Sequence, residues 1–192
     1  MPLSEPVQRR HLHTRTVTIE GFAREDGLYD IEGRMTDAKT YGFDNKDRGR
    51  IEAGEPVHDM RVRLTIDLEF RIHRIEASTD ASPYRVCPEI APSYQKLEGA
   101  VIGTGWRAKV REAMGGRAGC THISELLAAM ATGAYQTLFP ERARRSKETP
   151  PLPAKEGRRP GWIDSCYALR EEGEVVRREW PQWARNKGPE PR

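Results

Sequence analysis

An α+β fold, with a curved antiparallel sheet from the N-terminal half packed by C-terminal helices and a small C-terminal hairpin, is predicted by three features of this sequence. The first is alternation. From His58 the even positions run His58, Met60, Val62, Leu64, Ile66, Leu68, Phe70 and Ile72, while the odd positions run Asp59, Arg61, Arg63, Thr65, Asp67, Glu69, Arg71 and His73. A period of two over that length describes a sheet with one buried face. The second is Asp26-Gly27, a hairpin signal between two strand-like stretches. The third is the stripe Ile123, Leu126, Leu127, Met130, Ala131, Ala134 and Leu138, which has helical spacing.

Residues 14–24 read as the first strand and 28–39 as the second. In the second, Tyr29, Ile31 and Met35 share one face and Asp30, Glu32 and Arg34 the other. Residues 40–55 are rich in Gly, Asp and Lys without periodicity, and read as a loop. The alternating run is too long for a typical single strand. It predicts either a bent strand or two strands with a tight turn near Asp67. Ser82-Pro83 and Cys87-Pro88 then break the sheet. Helices are expected at about 90–98, at about 105–114 closed by Gly115-Gly116, and at about 121–138. Thr121 would be the N-cap of the last, with Glu125 in its first turns and Pro140 at its end.

The main domain is therefore placed at 14–140, after a tail over 1–13. The basic, proline-rich stretch 141–161 reads as a linker. Residues 162–183, with Val175-Val176 and Trp180-Pro181-Gln182-Trp183, read as a small hairpin docking on the core, followed by a tail over 184–192.

The 32 basic and 29 acidic residues leave a net charge of +3. That is a mixed surface, and charge alone does not indicate nucleic acid. No apolar run approaches the roughly 20 residues that span a bilayer, and the N-terminus lacks the apolar stretch of a signal peptide. A cytoplasmic protein is expected, with Cys87, Cys120 and Cys166 reduced. Its partner would be a small-molecule substrate, with neither nucleic acid nor membrane; a homo-oligomer is compatible with the sequence.

The chemistry concentrates in Gly115-Gly116-Arg117-Ala118-Gly119-Cys120-Thr121-His122. A thiol and an imidazole lie two residues apart where a glycine-rich loop turns into a helix. Unpaired N–H groups and the dipole there favour a thiolate or an anion. Cys120 and His122 could serve as nucleophile or metal ligands; a small buried cysteine beside a surface histidine is the plainer alternative. Cys87, Cys120, His122 and Cys166 could together hold zinc or iron, although their spacing contains no C-x-x-C pair. No cofactor is favoured.

His58 opens the apolar face of the alternating run, and Asp59 points the other way. Asp37 continues the face of Ile31 and Met35, so it could meet His58 at one mouth of the sheet. A carboxylate there could orient the imidazole as a general base. The catalytic candidates are thus His58, Asp37, Cys120 and His122, and the candidate substrate contacts are Asp59, Lys39, Tyr84 and Trp106. Gly103-Thr104-Gly105-Trp106-Arg107-Ala108 fits a dinucleotide fingerprint only in spelling, because no strand of a βαβ unit precedes it. Ser93-Tyr94-Gln95-Lys96 is a chance match to S-x-x-K.

Several ordered stretches together resemble bacterial domain-of-unknown-function family 2889. They are Asp26-Gly27-Leu28 with Ile31-Glu32-Gly33, Ala53-Gly54-Glu55-Pro56-Val57-His58-Asp59-Met60, Leu64-Thr65-Ile66-Asp67, Cys87-Pro88, Gly119-Cys120-Thr121-His122 and Asp164-Ser165-Cys166. The resemblance covers about residues 9–183 and supplies no activity. It implies that His58, Asp59, Cys87, Cys120, His122 and Cys166 belong to the family pattern. Tyr167 departs from it where histidine is expected, which weakens a metal scheme using Cys166. The expected function is a small enzyme using acid–base chemistry of lyase or hydrolase type. Its substrate would be a modest organic molecule, an aromatic one being suggested only by the tyrosines and tryptophans. The alternative is a non-catalytic metal-binding or partner-binding domain built on the Cys/His set.

Overall fold

A computed structural model describes residues 3–148 and 159–185. The chain forms two compact units, one ending at Arg144 and one beginning at Arg145. In the first, strands β1 (His13–Ala23), β2 (Tyr29–Lys39), β5 (Pro56–Ile66) and β6 (Ile72–Ala81) make an antiparallel sheet in the order β1-β2-β5-β6. Strands β3 (Phe43–Asn45) and β4 (Gly49–Ile51) pair separately. A run of 3-10 turns follows over Cys87–Leu97, then helix α1 (Trp106–Met114) and helix α2 (Thr121–Glu148). The α+β architecture is as the sequence predicts.

Alternation decides which face of the sheet is wet. Met60, Val62, Leu64 and Ile66 are buried, while Arg61 and Arg63 are exposed. The register stacks Ile31, Leu64 and Ile75 across three neighbouring strands. Against that face lies the stripe of α2, with Ile123, Leu126, Leu127, Met130, Ala134 and Leu138 in the same core. Strand β1 lies close to the helix. Gly133 stands where any side chain would run into Ile19, and Gly21 where one would run into Thr137.

Of the two readings of the alternating run, the tight turn is the one found. The Asp67 carboxylate accepts hydrogen bonds from the N–H groups of Glu69 and Arg71, each at 2.9 Å, and Phe70 takes the left-handed conformation (φ 63°). Phe70 is nevertheless buried, so the alternation continues through the turn and hides it.

Four expectations are corrected. Residues 40–55 contain the β3–β4 hairpin. Asn45 Oδ1 accepts the N–H groups of Asp47 and Arg48 at 3.0 Å, and Gly49 supplies the positive φ. Strands of three residues are too short to show a period. The expected helix at 90–98 is a 3-10 run beginning at Cys87, with Pro92 in its interior lacking the N–H group an α-helix needs. Pro140 does not close α2, which continues through 141–148, the first eight residues of the expected linker. The residues after it are good helix formers, and the arginines suit a helix C-terminus. Residues 149–158 of that linker lie outside the described residues.

The fourth correction concerns the C-terminal hairpin. The second unit contains a 3-10 turn (Tyr167–Leu169), helix α3 (Glu174–Glu179) and a 3-10 turn (Pro181–Trp183). Val176 is buried on α3, whose first turn carries Glu174 and whose last carries Arg177 and Arg178, matching the helix dipole. Trp162 and Trp180 meet edge to face, their ring centroids 5.9 Å apart. Glu171 pairs with Arg185 at 2.8 Å and Arg159 at 3.2 Å.

Candidate functional site

One row across the sheet gathers Arg15, Asp37 and His58. The registers set Arg15 of β1 opposite Asp37 of β2, and Asp37 opposite His58 of β5. Opposed residues point to the same face, so the row continues the apolar face at its end. A bulge at Asp37/Ala38 closes the β2–β5 pairing there. Such irregularities commonly re-aim side chains beside functional sites.

Asp37 is the hub, and it is only 3% exposed. Its Oδ1 accepts hydrogen bonds from Arg15 Nε (2.8 Å) and His13 Nε2 (2.8 Å). Its Oδ2 accepts from Arg15 Nη2 (2.7 Å) and His58 Nδ1 (3.0 Å). Burial works to raise the carboxyl pKa, but the Arg15 fork and His13 outweigh it and hold it well below the usual range. Asp37 is therefore a fixed carboxylate, and it selects the His58 tautomer that carries its proton on Nδ1. Among the described residues His58 Nε2 has no hydrogen-bond partner.

Helix α2 brings the second half. The His122 and His58 rings lie 4.0 Å apart, centroid to centroid, at 36°. Cys120 Sγ is 3.9 Å from His122 Nδ1. The Cys120 carbonyl accepts the Ser124 N–H at 3.0 Å, which makes Cys120, and not Thr121, the residue capping α2. Buried Tyr94 fixes that start: its hydroxyl accepts the Cys120 N–H and reaches the Cys120 carbonyl, both at 2.8 Å, with Ser124 Oγ at 3.0 Å.

Burial pushes both imidazoles below the ordinary histidine pKa. For His58 the Asp37 carboxylate opposes this and the charges of Arg15 and His13 assist it; for His122, His58 and Arg15 add to the burial. Both rings are thus neutral at pH 7. The unfolded chain takes up protons first as pH falls, so stability is lost as pH drops below the ordinary value of about 6.5. The expected melting temperature declines through that window, and His122→Gln flattens the decline. Matching pH profiles for the two proteins would refute the assignment. Asp37 acts in the same direction at lower pH, its stabilisation being lost only in acid below the ordinary aspartate range of about 3.9.

The structure thus brings together Asp37, His58, Cys120 and His122. Lys39 lies two residues along β2 from Asp37, with its Nζ 3.2 Å from Tyr41 Oη and over the Tyr41 and Phe43 rings. The other expected substrate contacts lie elsewhere. Asp59 is forked to Arg34 (2.9 and 2.6 Å) on the opposite face. Trp106 is a core residue whose Nε1 donates to the Leu127 carbonyl at 3.0 Å. Tyr84 is exposed and outside the cluster. Cys87 is half-buried, and Cys166 is exposed in the second unit.

Among the described residues, one group of possible metal ligands converges: Asp37, His58 and His122 place ligand atoms within 4.8 Å of one another. Of the expected cysteine and histidine set, His122 belongs to this group, and Cys87 and Cys120 do not. Two surface grooves lie on the first unit. One of about 540 Å³ runs over the outer sheet face between Glu32, Arg34, Arg61 and Arg63; another of about 380 Å³ lies beside Arg107, Arg111, Gly119, Thr121 and Ser124, along the start of α2 that holds Cys120 and His122. On the outer face Arg63 pairs with Glu32 at 2.7 Å and with Glu76 at 3.6 Å, as a solvated sheet surface does. Asp37, His58 and His122 themselves line neither groove.

Sequence reasoning missed His13, Arg15 and Tyr94. Alternation places His13 and Arg15 on the inner face of β1, but a two-residue turn at Asp26-Gly27 would set Thr16, not Arg15, opposite Asp37. The connection is the five residues 24–28, which shifts the register by one. Tyr94 carried no signal beyond being aromatic.

Fold and site define an α+β protein with a carboxylate–imidazole cluster at the end of its sheet, closed by the start of a long helix. The chain belongs to the family of proteins of unknown function DUF2889, whose model matches residues 13–136. No curated protein and no solved structure matches it. Among the described residues no helix is long and apolar enough to cross a membrane.

Proposed function

We propose that this protein is an acid–base enzyme of lyase or hydrolase type acting on a small organic substrate. The observation that carries this reading is the 3.0 Å hydrogen bond from His58 Nδ1 to the buried Asp37 carboxylate. It leaves Nε2 as a neutral, oriented proton acceptor. His58 would take the substrate proton, Asp37 would orient and stabilise the resulting imidazolium, and His122 would receive or return a proton beside it. The start of α2 at Cys120 would stabilise a carboxylate or oxyanion. Tyr41 and Phe43 beside Lys39 offer apolar surface that suits an aromatic substrate. A cytoplasmic setting is consistent with three free cysteines. The alternative of a binding domain on the three cysteines and His122 has less support, because Cys87 does not join the cluster.

The test is turnover by the full chain. Small carbonyl, hydroxy and ester compounds are incubated in deuterated water and followed by NMR for exchange, cleavage or hydrolysis. His58→Gln should lower the rate by about 10²–10⁴-fold, the usual contribution of a general base, with the melting temperature nearly unchanged. A variant that keeps the wild-type rate would overturn the reading.

A further inference from the structure

We propose that Asp37, His58 and His122 also bind a zinc-class divalent cation, which occupies the proton-accepting imidazole and switches the site off. The proposal rests on the reading of His58 as base only for the switching, not for the binding. Three elements, β2, β5 and the first turn of α2, each supply one ligand, and the three ligand atoms lie within 4.8 Å of one another. Two imidazoles and a carboxylate are a donor set for borderline transition metals, whereas magnesium demands oxygen ligands. A metal with nitrogen ligands at 2.0–2.1 Å separates them by about 3.3 Å in a tetrahedron, so small side-chain rotations close the set.

The imidazoles are available to a metal. His58 is hydrogen-bonded through Nδ1 alone, and His122 has only the thiol of Cys120 at 3.9 Å, a soft donor beside the site. The carboxylate is less available. Arg15 and His13 already occupy lone pairs of Asp37, and their donors must share it with the ion. That competition makes the cation an exchangeable ligand and not a permanent structural one. Asp37 Oδ2 lies 3.0 Å from His58 Nδ1, so an ion shared with Asp37 takes the Nδ1 lone pair and leaves the ring proton on Nε2, which then cannot accept one from substrate; ion and substrate chemistry exclude each other.

The experiment is calorimetric titration of the metal-free full chain with zinc chloride, and separately with magnesium chloride, at neutral pH. The expected result is one zinc per chain and no magnesium binding. His58→Gln and His122→Gln should each weaken zinc by at least about tenfold, the least that even an outer-sphere partner costs. His73→Gln serves as control, because His73 pairs with Asp67 at 2.8 Å away from the cluster. Far-ultraviolet circular dichroism confirms that each variant folds. Absence of zinc uptake, equal magnesium uptake, or equal zinc affinity in folded His58→Gln and His122→Gln overturns the site. Turnover unaffected by saturating zinc overturns the switch. Loss of turnover in His58→Gln without zinc binding in wild type removes this inference alone and leaves the acid–base reading standing.

Discussion

Asp37→Asn is expected to lower turnover by about 10²–10⁴-fold, because it removes the orientation of His58, the proposed base. The carboxylate accepts four hydrogen bonds, from Arg15 Nε and Nη2, His13 Nε2 and His58 Nδ1. An amide has one oxygen and an NH₂ group that only donates. If the oxygen stays with Arg15, the NH₂ faces His58. It then donates to Nδ1 and moves the imidazole proton to Nε2, the atom that must accept one from substrate. If the oxygen turns to His58, the NH₂ opposes the Arg15 fork. A stability loss of about 1–3 kcal/mol accompanies either arrangement. It is kept modest because His13 and Arg15 are 45% and 43% exposed and water can re-solvate them. Rate and urea midpoint measured on the same preparation separate the two effects. A variant as active as wild type would show that Asp37 neither orients His58 nor serves the reaction.

Leu64→Ala is expected to cost about 2–5 kcal/mol, the range for emptying a fully buried leucine site. Leu64 is 0% exposed and sits between Ile31 and Ile75 on the neighbouring strands. All three pack in the core with the stripe of α2. Strands paired on both sides cannot collapse into the void, so the lost packing is not recovered. Arg63→Ala, one residue away on the wet face and paired with Glu32, should cost no more than about 1 kcal/mol. Urea unfolding of both proteins checks the contrast. Equal costs would mean that the alternation does not set the buried face.

Much of this was legible in the chain itself. The faces of β2 and β5 follow from alternation, because every second side chain must share a surface. The apolar stripe of α2 follows from the helical repeat. Asp37 and His58 were legible as partners because each continues an apolar face to its end, where a polar group needs another. The β3–β4 hairpin was too short to have a period, and the turn near Asp67 stayed one of two readings because Phe70 stays inside while the backbone reverses. The passage of α2 through Pro140 and the helical nature of 174–179 went against local signals. A proline and a pair of valines state preferences of a fraction of a helix's energy, and neighbouring residues override them.

The sequence by itself determined the α+β class, the buried faces and the residues able to do chemistry, because these depend on periodicity and side-chain type, which are local. The tertiary structure decided which of those residues meet. His13 and Arg15 reach Asp37 only because a five-residue connection sets the β1–β2 register. His122 reaches His58 only because Tyr94 fixes the start of α2 and the core seats that helix on the sheet. Asp59 and Trp106 were lost from the site for the same reason: one faces the opposite side of the sheet and the other fills the core. Distances between residues far apart in sequence are set by packing, and packing is a property of the whole chain that no local pattern encodes.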